Sequence, residues 1–167
     1  MEQSINALFG SKTRVKLLNL FFNSPEEKFY VREISRIIDE QVNSVRRELT
    51  NLESVGVVKS STEDRKIFYQ ANQRFKYYLP LRAIFAGVKM NESVSIDKKT
   101  SSIDKWKSEI ENVQKEMDIL VLFGVLVDDV DSDVDMLIVG NNNNRKLSNW
   151  ASDIEKKEGR ELNYMIL

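Results

Sequence analysis

The chain has 167 residues, of which 41% are apolar and 31% charged, with 25 Lys and Arg against 26 Asp and Glu. It contains no cysteine and no histidine, which excludes disulfides, thiolate metal sites and hydrolysis by a Ser–His or Cys–His pair. The opening MEQSINALFG lacks the basic lead and apolar core of a signal peptide, and the longest apolar run, 119–127, is too short to span a bilayer. We therefore expect a cytoplasmic protein without a membrane segment, built as one domain or two small ones.

The first predicted helix covers Ser11–Phe22, where apolar residues recur at helical spacing. Ser11 suits the N-cap, and Pro25 follows the predicted end. This helix is expected to support the elements after it. Its basic residues are predicted to face solvent: Lys12, Arg14 and Lys16.

Two shorter helices follow, Val31–Ile38 and a second that starts at Val42, with the polar turn Asp39-Glu40-Gln41 between them. Gly56 is predicted to end the second helix in a left-handed conformation. The residues predicted to face inward are Val31, Ile34, Ile37 and Ile38 on the first helix, and Val42, Val45, Leu49 and Leu52 on the second.

Two β-rich runs come next, Val57–Ser60 and Lys66–Gln70, separated by the charged tip Glu63-Asp64-Arg65. Helix, turn, helix and hairpin in this order are typical of a winged helix-turn-helix, whose second helix enters the major groove of DNA.

The apolar stripe of the second helix leaves polar residues on its opposite side. Asn and Arg can make two-pronged contacts to base edges, whereas Ser, Arg and Lys hold phosphates. A small helical domain with ordinary solvated charges is the alternative, but the ordered succession of elements favours DNA binding. The predicted DNA-binding residues are Asn43, Ser44, Arg46 and Arg47 on that helix, with Arg32, Lys59, Arg65 and Lys66 around it.

Charge is divided unequally along the chain. Residues 1–90 hold 15 Lys and Arg against 10 Asp and Glu, and residues 91–167 hold 10 against 16. Because basic residues gathered on one surface gain affinity for DNA through counterion release, this division predicts a basic half that contacts double-stranded DNA and an acidic half that does not.

Residues Leu8–Val88 resemble the winged-helix domains of ArsR-type bacterial and archaeal transcriptional regulators. The segments that carry the resemblance are LFGSKTRVKLLNLFF, FYVREISRII, NSVRRELTNLESVGVV and KIFYQAN. The resemblance implies a DNA-binding domain over residues 1–88 that recognises operator DNA, usually as a homodimer.

A strongly apolar segment, Tyr77–Val88, is predicted to form a helix from about Leu79, with Pro80 in its first turn. Such a helix could pair with its twin across a dimer axis or pack back onto its own domain, and both uses stay open. The residues concerned are Phe75, Tyr77, Tyr78 and Phe85. Residues 89–102 are polar without a clear period and are predicted to be a linker.

The second predicted domain, residues 103–167, contains helix, strand, strand, helix and strand, so the predicted fold class of the whole chain is α+β. Its first helix carries an apolar stripe of Ile103, Trp106, Ile110, Val113 and Met117. The strand that follows is predicted to be buried on both faces. The remaining elements are predicted at Asp118–Gly124, Asp133–Gly140, Arg145–Lys157 and Arg160–Leu167, with a turn at Asn141–Asn144.

This domain resembles the small nucleotidyltransferase domains related to polymerase β and kanamycin nucleotidyltransferase. Leu122-Phe123-Gly124 matches the family's Phe-Gly strand end, and Ser132-Asp133-Val134-Asp135 matches its Ser-Asp-x-Asp motif. Asp133 and Asp135 alternate along the predicted strand, so both carboxylates should face one way and could grip Mg²⁺ on a nucleoside triphosphate. The resemblance adds Gly124 as a nucleotide-binding turn and Glu161 as the third carboxylate.

Two departures weaken the transferase motif. Val125 stands where the family has a serine, and the loop before Asp133 lacks the family's Arg-Gly pair. Asp128, Asp129 and Asp131 occupy that loop, where a triphosphate needs hydrogen-bond donors. The domain is therefore predicted to be an inactive scaffold, dimerisation or ligand-sensing domain without a cofactor.

Together the two domains are predicted to form a sequence-specific DNA-binding regulator that acts as a homodimer. The alternatives are an Mg-dependent nucleotidyltransferase that uses Asp133, Asp135 and Glu161, and an antitoxin-like protein whose acidic half binds a partner. A protein or small-molecule effector stays possible, but the absence of His and Cys argues against a soft metal ion.

Overall fold

The computed structural model describes residues 2–87, 102–127, 132–140 and 144–167. The chain divides into two compact units, Met1–Met90 and Asn91–Leu167. Helices combine with a three-stranded sheet in each unit, so the predicted α+β class is confirmed. Apart from Ser102, the predicted linker lies outside the described residues, as do most of the turn predicted at 141–144 and the loop aspartates Asp128, Asp129 and Asp131.

The first unit contains five helices and three strands among its described residues. In chain order they are α1 (Glu2–Phe9), α2 (Lys12–Asn23), β1 (Phe29–Tyr30), α3 (Val31–Ile37), α4 (Val42–Ser54), β2 (Val58–Glu63), β3 (Lys66–Ala71) and α5 (Tyr78–Ala86).

Helix α2 begins as predicted, because the Ser11 hydroxyl accepts a hydrogen bond from the Arg14 N–H at 3.2 Å and caps the helix. Its apolar face is buried at Val15, Leu17, Leu18, Phe21 and Phe22. Helix α1 was not predicted, since it has only eight residues.

The predicted inward faces of α3 and α4 are mostly correct. Five of the side chains that were predicted to face inward are buried. They are Ile34 in α3, Ile38 just after it, and Val45, Leu49 and Leu52 in α4. Ile37 was predicted to face inward and is 53% exposed. Adjacent residues lie about 100° apart around a helix, and at the end of α3 it is Ile38, 8% exposed, that turns to the core while Ile37 turns to solvent.

Gly56 follows α4 with φ +80°, the left-handed conformation predicted for it. The N–H of Gly56 donates to the carbonyl of Glu53, and that of Val57 donates to the carbonyl of Leu52, each at 2.9 Å. The chain therefore turns directly from α4 into β2.

The sheet of the first unit has the strand order β1-β3-β2, and both neighbouring pairs are antiparallel. Strand β1 was not predicted, because two residues are too few to show alternation. It pairs Phe29 with Tyr69 and Tyr30 with Phe68, and thereby fixes the start of α3 beside the hairpin.

Helix α5 packs onto its own unit. Tyr78 is fully buried and Phe85 is 8% exposed, with ring centroids 5.7 and 6.0 Å from that of Phe22. These two side chains therefore cannot form a dimer surface, and that suggestion was wrong for them. Tyr77 is exposed and Phe75 is partly buried against the core. As predicted, Pro80 lies in the first turn.

The second unit has two helices and three strands among its described residues. They are α6 (Ser102–Val113), β4 (Ile119–Leu122), β5 (Met136–Val139), α7 (Asn144–Glu158) and β6 (Tyr164–Ile166), with short 3-10 turns at Gln114–Glu116 and Gly124–Leu126. The sheet order is β4-β5-β6, with β4 antiparallel and β6 parallel to β5.

Both helices cover one side of this sheet. Trp106 and Val113 of α6 are buried with Met136 and Ile138 of β5, as the predicted stripe requires. Ile110 and Met117 pack partly against the same cluster, while the side chain of Ile103 lies outside the described residues. The members contributed by α7 are Leu147, Trp150, Ala151 and Ile154.

Three strand predictions in this unit need correction. Strand β4 is an edge strand with Ile119 54% exposed, so it is not buried on both faces. Strand β5 begins at Met136 instead of Asp133, and β6 is limited to three residues. Of the described helices, none combines the length and the apolarity needed to cross a bilayer.

Candidate nucleic-acid interface

A groove of about 790 Å³ lies between α3, α4 and the β2–β3 hairpin. We call it the cationic groove, because five basic side chains line it and no carboxylate does. Such a surface attracts a polyanion, since each phosphate neutralised releases a counterion. The basic residues that define the groove are Arg32, Arg36, Arg46, Arg65 and Lys66.

Helix α4 presents an exposed polar face to this region. Arg46 and Arg47 are both exposed, and neither guanidinium forms a hydrogen bond or ion pair with any described residue. Arg46 lines the groove, whereas Arg47, turned 100° further around the helix, lies outside the lining. Asn43, one turn before Arg47, is exposed as well. The face that the sequence predicted is therefore accessible.

The buried side of α4 is fixed to α2 by an ion pair. Arg14 Nε lies 2.9 Å from Glu48 Oε2, and Glu48 is only 3% exposed. Burial alone would raise the pKa of the Glu48 carboxyl, but hydrogen bonds from Ser11 and Arg14 outweigh burial and hold the pKa below its ordinary value. Arg14 was predicted to be a solvated surface charge, which is wrong because it holds α4 in place.

Lys16 fixes the turn between α3 and α4. Its Nζ donates to the carbonyl of Ile38 at 2.7 Å and lies 2.8 Å from Glu40 Oε1. The hydrogen bond between the Lys16 ammonium and the Glu40 carboxylate is the main reason why the pKa of Glu40 is lowered. Asp39, within the turn, has φ +49°. The prediction of Lys16 as a solvated charge was therefore also wrong.

The hairpin presents its basic residues at a two-residue turn. Asp64 and Arg65 have φ +46° and +62°, the left-handed pair of a type I′ turn, whose twist matches that of the strands. Lys28 Nζ lies 2.5 Å from Glu63 Oε1 at the base of this turn, and its hydrogen bond lowers the pKa of Glu63. Arg65 is thereby placed at the tip.

Two tyrosines complete the groove. Lys66 Nζ lies 5.6 Å from the centroid of the Tyr30 ring, a cation–π contact that positions the ammonium at the groove wall. Burial is the main cause that raises the pKa of Tyr69, followed by the charge of Glu53, while Arg46 opposes them. Tyr69 and Arg46 are therefore close enough to interact electrostatically.

The cationic groove brings together half of the eight residues predicted to bind DNA, namely Arg32, Arg46, Arg65 and Lys66. Asn43 and Arg47 are exposed on α4 and Lys59 on β2, outside the lining, while Ser44 is half-buried.

Sequence reasoning missed other groove residues. Arg36 follows Arg32 by four positions, and Thr50 follows Arg46 by four. Because residues four apart share a helix face, this spacing was the available signal. Tyr30 and Tyr69 gave no comparable signal, because they enter the groove only through the pairing of β1 with β3.

In the second unit, Asp135 is used by the fold. Its side chain is fully buried, Oδ1 accepts a hydrogen bond from the Val125 N–H at 3.0 Å, and Oδ2 accepts one from the Asn163 N–H at 2.8 Å. The carboxylate thus joins the turn after β4 to the segment before β6. Both oxygens are already engaged by the backbone.

Asp133 has a different environment. It is exposed, and its carbonyl accepts a hydrogen bond from the Asn163 side chain at 2.9 Å. Both aspartates were predicted to lie on a strand, but they precede β5, so strand alternation does not apply to them; Asp133 is exposed and Asp135 is buried.

The other predicted transferase residues do not complete a site. Gly124 is buried with φ +54°, and the N–H that follows it, on Val125, is bonded to Asp135. Glu161 is exposed. In the part of the chain that the structure describes, no three acidic side chains are grouped so that they could hold a metal ion. Of the three predicted carboxylates, Asp133 and Glu161 are exposed, and Asp135 is buried with both oxygens bonded to backbone N–H groups.

Comparisons with known proteins give little further information. The chain matches no protein-family model and no curated protein. The crystal structure of the YusO protein from Bacillus subtilis aligns with 68% of this chain and 92% of its own length, at 13% identity and a TM-score of 0.36. A likeness this low supports no argument about fold or function.

Proposed function

We propose that the chain is a sequence-specific DNA-binding regulator of transcription in the cytoplasm, which acts as a homodimer. Helix α4 is the recognition helix of an ArsR-like winged helix-turn-helix, and the β2–β3 hairpin is its wing. The observation that carries this proposal is the cationic groove, which has five basic side chains and no carboxylate.

The positions of the side chains support a division of work between base edges and phosphates. Asn43, Arg46 and Arg47 belong to α4 and would enter the major groove, where Asn pairs with adenine and Arg with guanine. The remaining basic residues of the groove belong to α3 and the hairpin and would hold phosphates on either side. They are Arg32, Arg36, Arg65 and Lys66. Lys59, exposed on β2, and Ser44, half-buried on α4, are further candidates.

The anchoring of α4 supports sequence-specific binding in preference to attraction by charge alone. Arg14 joins the helix to α2 through Glu48, and Lys16 holds the turn before it. Base readout requires side chains to meet base edges at hydrogen-bond distance. A recognition helix that is held from behind meets this requirement without first being ordered by DNA.

The second unit is proposed to be a degenerate nucleotidyltransferase-like domain without a catalytic role. The engagement of both Asp135 oxygens by backbone N–H groups supports this assignment. Its role in the regulator is to join copies of the chain or to sense an effector.

Selection of bound duplexes from a random library, followed by fluorescence anisotropy over a salt series, tests the proposal. Four phosphate contacts per copy, from Arg32, Arg36, Arg65 and Lys66, predict a log–log slope of about −4 for the binding constant against salt for each copy that binds. Arg46→Ala should relax the base preference at one position and weaken binding by about tenfold.

Arg145→Ala is the matched control, because Arg145 is an exposed arginine on α7 of the other unit. Its binding constant and base preference should equal those of the wild type. A binding constant that does not change with salt, or a selection that yields no preferred sequence, contradicts the proposal.

A further inference from the structure

One face of the sheet in the second unit carries only apolar side chains. Ile119 pairs with Val139, Val121 with Leu137, and Leu137 with Met165. The ladder continues to Leu167, whose N–H donates to the carbonyl of Ile138 at 2.9 Å. Opposite partners point to the same face, so these residues form two rows of three. We call this surface the open sheet face: Ile119, Val121, Leu137, Val139, Met165 and Leu167.

The two helices of the unit pack on the opposite side. The buried cluster beneath α6 and α7 includes Met136, Ile138, Leu120, Leu122 and Ile166, which alternate with residues of the open sheet face.

No residue of the open sheet face belongs to that cluster. Ile119 is 54% exposed, Met165 51% and Leu167 65%. Parallel pairs such as β5 and β6 normally lie in sheets covered on both faces. Among the described residues, neither buried cluster includes this face of the sheet.

The absence of charged and polar side chains on the open sheet face indicates which partner it can bind. All six side chains are hydrocarbon or thioether, so the face offers neither a charge nor a hydrogen bond by which a charged partner could be chosen. The acidic residues of the 91–167 half, 16 against 10 basic ones, are all outside it. Two copies can therefore meet here without placing like charges opposite each other.

The flat shape of the open sheet face also suits a second copy of the chain. Two sheets pack face to face at a spacing of about 10 Å, and a two-fold axis lets one patch serve on both copies. The exposed apolar area is on the order of 400 Å² per copy, about half of what each partner buries in a standard interface. A contact of this size associates weakly unless two copies are already held close together.

We propose that the open sheet face is the contact between two copies of this chain. The dimer is weak in free solution and strengthens when two copies occupy neighbouring half-sites on one DNA. Only this second statement rests on the proposed function, because the contact between sheets needs no DNA.

Sedimentation equilibrium of the full chain, from about 1 to 500 µM, measures the contact directly. Because the contact is smaller than a standard interface, we expect weak association, with a dissociation constant on the order of 10 to 100 µM. Met165→Glu places like charges across the axis in a dry contact and should raise that constant at least about tenfold. Met165→Lys should do the same, and tryptophan fluorescence verifies that both variants are folded. Asn149→Glu is the matched control, because it adds the same charge to an exposed position on α7.

A dimer that weakens in both Met165 variants and not in Asn149→Glu establishes the contact. A chain that stays monomeric over the whole range overturns the proposal, as does a dimer that both Met165 variants leave unchanged. Anisotropy on DNA with a single half-site is measured separately. A failure to bind DNA therefore does not alter the sedimentation result, and a failure to dimerise does not alter the DNA result.

Discussion

The two units differ in where they place the charged residues that the sequence marks as functional candidates: exposed in the first unit, and, for Asp135, buried in the second. In the first unit, Arg46 and Arg47 are exposed, and their guanidinium groups form no hydrogen bond or ion pair with the described residues. In the second, Asp135 is fully buried and accepts two backbone N–H groups. A charge with no partner is available to a ligand, whereas a charge satisfied by the backbone maintains the fold.

The difference comes from the local structure on which each residue lies. Arg46 and Arg47 belong to a helix of 13 residues, whose apolar stripe determines which side faces solvent. Asp135 lies just before a strand of four residues, where the chain has not yet entered the ladder. The direction of the Arg46 and Arg47 side chains can therefore be inferred from residue spacing, whereas the direction of the Asp135 side chain cannot.

Removing the Asp135 carboxylate is expected to have the largest effect on stability. Asp135→Ala removes the two hydrogen bonds that the buried carboxylate accepts from the N–H groups of Val125 and Asn163, which costs about 3 to 5 kcal/mol because hydrogen bonds to a charged group are strong. Tryptophan fluorescence during urea unfolding measures this cost in the second unit alone, because both tryptophans, Trp106 and Trp150, are buried there. Asp133→Ala, the exposed counterpart, should change stability by less than about 0.5 kcal/mol. Equal losses in the two variants would contradict the assignment of Asp135 to the fold.

In the first unit, removing Arg14 tests whether it stabilises the fold while Arg47 serves DNA binding. Arg14→Ala leaves the carboxylate of Glu48, 3% exposed, without its cation, and should destabilise the unit by about 3 kcal/mol. Hydrogen exchange of the amides in α2 and α4, followed by mass spectrometry, detects the loss as reduced protection. Arg47→Ala should weaken DNA binding and leave this protection unchanged. If Arg47→Ala also exposed the amides, the separation of anchoring and binding arginines would be wrong.

The smallest expected effect concerns acid stability. A hydrogen bond from Lys157, at 2.6 Å, is the main reason why the pKa of Glu109 is lowered to about 2. A lowered pKa means that the stabilisation is complete above about pH 5 and is lost as the pH falls towards 2. Because half of the Lys157 side chain is exposed, the loss should be at most about 1 kcal/mol.

Urea midpoints followed by tryptophan fluorescence between pH 7 and about pH 3 measure this loss. Glu109→Gln should make the decline with falling pH shallower. Glu111→Gln, which removes an exposed carboxylate on the same helix, serves as the control and should leave the decline as it is in the wild type. An identical decline in the wild type and in Glu109→Gln would exclude this contact as a source of acid sensitivity.

Apart from α1, the helices were predictable because a period of 3.6 residues can be recognised over two or more turns. Ser11, Pro80 and Gly56 act at helix ends through their own chemistry, so their positions were visible as well. The short strands were not predictable with the same accuracy. Phe29–Tyr30 has only two residues, and Ile119 is apolar although it lies exposed on an edge strand.

The candidate site was predictable where it depends on one helix. Arg46 and Arg47 follow from the stripe of α4, but the groove around them depends on strand pairing that joins Tyr30 to Phe68. The roles of Arg14 and Lys16 were assigned wrongly, because their partners lie 34 and 22 residues further along the chain. Local spacing carries no information about such distant contacts.

The sequence by itself determined the α+β class, most of the helical segments and the polar face of α4, because each depends on residues close together in the chain. Tertiary structure decided which charges are free and which are engaged, and which apolar residues remain uncovered. Asp135 is a charge that the fold engages, and Met165 is an apolar residue that the fold leaves uncovered. Hydrogen bonding and burial depend on neighbours brought together by folding, and no local pattern specifies those neighbours.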